Sequence, residues 1–153
     1  MIDITLLRTS RLEHTTPGSL FLPVVGSGSH FLAGRIDDFP VLVELDGQEP
    51  FKVAPTEEWS RASGLVIESG RLQVEPRSAT PVQSPQDAPP GSLVLAREGP
   101  TLIAHDQDGP KPVRLGGGEG VTALEPGDVA FTEWRFVTGT EPTVAVHFQH
   151  PKS

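Results

Sequence analysis

The chain has 153 residues, enough for one domain, and it carries 20 acidic against 12 basic side chains for a formal charge of −8 at pH 7. With no basic cluster and that charge, a phosphate backbone or an anionic lipid surface would be repelled, so neither nucleic acid nor membrane is an expected partner. Cysteine is absent, which excludes disulfides, thiolate metal sites and a cysteine nucleophile; tyrosine is absent too.

Sixteen Gly and sixteen Pro, spread along the chain, argue for many short elements joined by turns. The N-terminal stretch Met1–Glu13 carries Asp3 and lacks a cationic start with a long apolar run. The expectation is therefore a cytoplasmic protein without a signal peptide. Apolar periodicity is two rather than 3.6. Ile2, Ile4 and Leu6 alternate with Asp3, Thr5 and Leu7, and Leu20, Leu22 and Val24 repeat the pattern. Gly26–His30 lacks the strand-to-helix setting of a nucleophile elbow and reads as a hairpin turn. Val41, Val43 and Leu45 form the next alternating run.

One helix is expected, near 57–63. Thr56 would be its N-cap, Glu57 and Glu58 would face the positive end of its dipole, and Gly64 would stop it. Leu72 and Val74 then begin another strand. Residues 77–90 (RSATPVQSPQDAPP) hold four Pro and few apolar side chains, and read as a long surface loop.

The sequences on either side of that loop echo each other. Pro17–Leu22 resembles Pro90–Leu95, Phe31–Ala33 resembles Leu102–Ala104, and Ile67–Leu72 resembles Leu124–Val129. Either the echo is chance, or the chain is two similar halves, about 1–76 and 90–153, with a ligand cleft between them.

Leu115–Gly120 has no following helix and no Lys, so it reads as a turn and not as a phosphate loop. Leu124–Phe131 (LEPGDVAF) combines a Pro-Gly turn, an Asp able to bond its own backbone, and a strand. With Gly120 upstream, this stretch resembles the G-x5-P-x-G turn of cupin-type jelly rolls, over residues 120–136 only. The resemblance implies a jelly-roll frame with a pocket. It does not extend to the family's metal motif: the H-x-H pair and following Glu are missing, and Trp134 and Arg135 stand about where the later His would fall.

Glu133 and Arg135 share one face of a predicted strand, with Trp134 on the other. The five histidines, His14, His30, His105, His147 and His150, are scattered, and no local pair has ligand spacing, so no metal and no cofactor are expected. The candidate ligand-binding residues are Glu133, Trp134, Arg135, His105 and His147. No catalytic set stands out. Val144, Val146 and Phe148 mark the last strand, which carries no charge. Asp3 is the only ionised side chain in the first run, Ile2–Leu7, or the last, and terminal strands with so little charge invite pairing with another chain, which leads to a homodimer as the expected assembly.

Together these features predict a single all-β domain, an antiparallel two-sheet sandwich or jelly roll. Non-catalytic assembly or small-ligand binding is the leading expectation for function. A small metal-independent enzyme with a cupin-like pocket, or a virion or surface structural subunit, are the alternatives.

Overall fold

A computed structural model describes residues 2–23, 29–54, 63–84, 87–116 and 124–151. Among them are thirteen strands: β1 Leu7–Arg11, β2 Leu20–Pro23, β3 Phe31–Ile36, β4 Phe39–Glu44, β5 Ser63–Ile67, β6 Arg71–Val74, β7 Ala79–Val82, β8 Leu93–Ala96, β9 Gly99–Asp106, β10 Gly109–Arg114, β11 Asp128–Phe131, β12 Trp134–Thr138 and β13 Ala145–His150. Helical structure is limited to short 3-10 turns. One antiparallel sheet runs β1-β5-β2-β3-β10-β9-β8-β11-β7 with β4 also on β3, and a second runs β13-β12-β6. The main core, from Leu20, Leu32, Val43 and Leu102 of the large sheet to Trp134, Phe136 and Phe148 of the small one, lies between them. The fold is thus the expected all-β antiparallel sandwich.

Behind the large sheet lie two smaller cores, one around Phe21, Phe31, Ala33 and Val66, the other around Val94, Ile103 and Ala130. Consequently Phe31–Gly34 of β3 and Thr101–Ala104 of β9 are buried on both faces, not half-wet as period-two alternation suggested.

Local chemistry corrects two expectations. Ile4–Leu6 form a 3-10 turn and not a strand, because the Asp3 carboxylate accepts the Thr5 N–H at 3.0 Å and offers the backbone a competing partner. Within the expected loop 77–90, residues Ala79–Val82 form β7. As the sheet's last strand it bonds β11 alone, so Pro81 withholds no hydrogen bond from the interior. The expected helix falls largely on residues 55–62, outside the described residues. Its proposed stop, Gly64, lies inside β5, where a Cβ would come within 2.4 Å of the Phe21 ring.

Two strand sets share one hydrogen-bond scheme. Gly18 and Gly91 have φ +88° and +92°. Their N–H groups donate at 2.7 Å to the carbonyls of Ala33 and Ile103, which return bonds of 2.9 Å to Ser19 and Ser92. Leu45 and Leu115 donate at 2.9 Å to His30 and Pro100 in the same way. Ile67 of β5 sits opposite Leu20 as Phe131 of β11 sits opposite Leu93. The third sequence echo is out of this register: Val129 lies in β11, whereas Leu72 lies in β6, directly across from Phe136 of β12.

Candidate functional site

The small sheet carries a concavity of about 520 Å³ on β6, β12 and β13, lined by Gln73, Val74, Glu75, Glu133, Trp134, Arg135, Gln149, His150 and Pro151. Its polar groups are placed by backbone pairing. Trp134 lies opposite both Val74 and His150, and Arg135 lies opposite both Gln73 and Gln149. Glu133, just ahead of β12, is clamped through its main chain: its N–H donates to Ser78 Oγ at 3.1 Å and its carbonyl accepts the Glu75 N–H at 2.9 Å. Arg135 donates from Nε to Gln73 Oε1 at 2.8 Å. The Glu75 carboxylate accepts the Arg77 N–H at 3.1 Å and so caps a 3-10 turn.

Trp134 points to the face of β12 opposite Arg135 and joins the buried aromatic cluster beneath the strands, which serves as the floor of the site. Only 3% exposed, it donates from Nε1 to the Gly91 carbonyl at 2.6 Å. Its ring centroid lies 5.3 Å from that of Phe148 and 6.4 Å from that of Phe51. Phe51 has φ 66°, a left-handed conformation that costs a bulky residue about 1–2 kcal/mol and is held here by burial among aromatic rings. His150 packs edge-on against Phe51 at 4.7 Å, and burial lowers its pKa from 6.5, favouring the neutral ring.

That shift has a consequence for stability. The folded chain holds fewer protons on His150 than the unfolded chain does below pH 6.5, so stability is complete above that pH and falls as pH drops through it. His147, whose pKa is lowered by burial and secondarily by the charge of His30, adds in the same direction. Urea denaturation at pH 7.5 and 5.5 should show the acid loss, and His150→Asn should shrink it. An undiminished pH difference in that variant would rule out His150 as its source.

Three of the five predicted site residues, Glu133, Trp134 and Arg135, line the concavity; His105 and His147 do not. His105 on β9 donates from Nε2 to the Pro50 carbonyl at 3.1 Å, while its main chain bonds Phe51 and Val53, so it braces the 50–53 segment. His147 shares a 2.7 Å hydrogen bond with Thr138 Oγ1 and occupies a bulge in β13: Phe136 pairs with Phe148 and Val137 with Val146. Gln73, Glu75, Gln149 and His150 carried no sequence signal, since they reach the site by strand pairing. His30 bonds Asp46 through Nδ1 at 2.8 Å. Among the described residues no three His, Asp or Glu side chains group as metal ligands, and no helix is long and apolar enough to cross a membrane.

A family model described as Uncharacterised protein y4lG matches residues 9–150, and so spans every strand of the site. The chain belongs to the Y4lG family. No curated protein and no solved structure matches it. Family membership thus brings no assigned activity, and the chemistry of the concavity is the guide to function.

Proposed function

We propose that the chain is a non-catalytic binding protein whose ligand is a small polar molecule held on the small sheet. The concavity itself carries this reading. A guanidinium, two carboxylates, two amides and an imidazole line it, backed by the buried aromatic cluster beneath the strands, and small-ligand sites share such a small set of placed polar groups. The 2.8 Å His30–Asp46 pair stands apart from these groups: Asp46 lines a smaller neighbouring concavity of about 240 Å³ that meets the first at His150 and Pro151.

The strand registers add support. If the two strand sets are copies of one unit, β6 and β12 are equivalent, and Trp134 stands where the first copy has Gly70. At Gly70 a Cβ would lie 2.0 Å from the Phe136 ring. The strand β13 is added on the β12 side alone. The concavity then lies where the copies differ, as expected where one copy has been adapted to a ligand.

Screening a polar fragment library by amide-resolved NMR tests the reading. Hits should shift resonances at 73–75, 133–135 and 149–150, and Gln149→Trp, which fills the space from an exposed strand position, should abolish them. A library with no such hits, or hits indifferent to the tryptophan, would refute it.

Self-assembly is the second reading, favoured by the edge of β13. That strand bonds β12 on one side and carries no Asp, Glu, Lys or Arg, whereas edge strand β1 carries Arg8 and Arg11 and edge strand β7 carries Pro81. Light scattering should give the mass of two chains, and Val146→Lys should return it to one. A mass of one chain for the unaltered protein would dismiss the dimer.

A further inference from the structure

Arg135 and Glu133 carry opposite charges, stand two residues apart and line the same concavity, yet they do not pair with each other. Strand rise puts their Cα atoms roughly 6.6 Å apart, within easy reach of an ion pair. Arg135 instead gives its Nε to Gln73, which fixes one edge of the guanidinium. Among the described residues Gln73 is its sole polar side-chain partner, so its two terminal amino groups keep their donors. The Glu133 carboxylate has no partner among the described residues; only its main chain is held. The other carboxylate of the wall, Glu75, is engaged by the Arg77 N–H.

The wall therefore offers one fixed cationic fork and one uncommitted anion. A guanidinium fork matches a carboxylate in geometry, and a carboxylate is the natural acceptor for an ammonium. A simple anion would sit next to the like charge of Glu133, and a simple cation next to that of Arg135. A molecule bearing both groups satisfies both residues. Val74, 38% exposed and next to Gln73 at the end of β6, also lines the concavity and supplies apolar surface for a side chain.

We infer that the concavity binds a small zwitterion, a free α-amino acid with an apolar side chain, its carboxylate on Arg135 and its ammonium on Glu133. This rests on the reading of the concavity as a ligand site. Gln73 acts as a positioning residue by holding the guanidinium.

The test is an amide-resolved NMR titration of the full chain with four matched probes. These are L-leucine, N-acetyl-L-leucine (anion only), L-leucinamide (cation only) and N-acetyl-L-leucinamide (neutral). Leucine should bind at least about tenfold more tightly than any of the others, as expected when a charge-assisted hydrogen bond is lost. Arg135→Gln should reduce leucine to the level of leucinamide, and Glu133→Gln should reduce it to the level of N-acetyl-leucine. Both variants alter side chains that are not fully buried, and their unshifted spectra elsewhere would establish that they fold. Equal affinity for leucine and the neutral probe, or leucine binding unchanged in Arg135→Gln, would overturn the zwitterion while leaving a ligand site. If neither these probes nor the fragment library shift the concavity, the site reading falls and the zwitterion with it.

Discussion

Gly91→Ala should cost about 3 kcal/mol of unfolding free energy, the sum of two separable effects. Gly91 has φ +92°, where an L-residue is strained by about 1–2 kcal/mol. Its new Cβ would also lie 2.4 Å from Phe51 Cε2, and forcing extra volume into a packed site costs about 1–3 kcal/mol. Phe51 cannot readily yield, because Trp134, Phe148 and His150 hold its ring on other sides. For a domain of this size the loss corresponds to roughly 6–12 °C in melting temperature. Gly99→Ala is the control: Gly99 has φ +107°, but a methyl added there would meet nothing within 4 Å, so it should lose only the strain component. Denaturant unfolding of both variants measures the difference, and equal losses would show that Phe51 does not press on Gly91.

Trp134→Ala should be about as damaging, at about 3–5 kcal/mol, because it removes the largest side chain of the floor and leaves a cavity against Phe51 and Phe148. Trp134→Phe separates packing from hydrogen bonding. It keeps most of the apolar contact but leaves the Gly91 carbonyl, now the acceptor of a 2.6 Å bond, without its donor, at about 1–3 kcal/mol. Because Gly91 and Trp134 share Phe51 and that bond, the double variant Gly91→Ala/Trp134→Ala should lose less than the sum of the singles. Strict additivity in denaturant unfolding would show that the floor is not one unit.

The all-β architecture was legible because each strand writes its own period of two. Leu20–Pro23, Arg71–Val74 and Ala145–His150 all fall where alternation placed strands. The echo between Gly18-Ser19-Leu20 and Gly91-Ser92-Leu93 was visible because left-handed backbone demands glycine at both sites. Glu133, Trp134 and Arg135 stood out for the same local reason: a strand alternates its faces, so a charge on each side of a tryptophan announces one wet and one buried face.

Other features were beyond local reading. The side chain of Asp3 turned an alternating run into a 3-10 turn, a competition of hydrogen bonds that periodicity does not record. Pro81 could join a strand only because β7 lies at an edge, and edge position is a property of the assembled sheet. His105 and His147 were singled out as residue types, but one braces a neighbouring segment and the other fills a bulge.

By itself, then, the sequence determined strand content, glycine turns, the absence of any thiol chemistry and the alternation of charge and tryptophan over Glu133–Arg135. Only the tertiary structure decided that Gln73, Gln149 and His150 stand beside Arg135 and Trp134, and that Gly91 and Phe51 support their floor. The physical reason is range. Alternation and turn strain act between adjacent residues, whereas the concavity is assembled by ladders joining strands some sixty residues apart in the chain, such as Arg135 with Gln73.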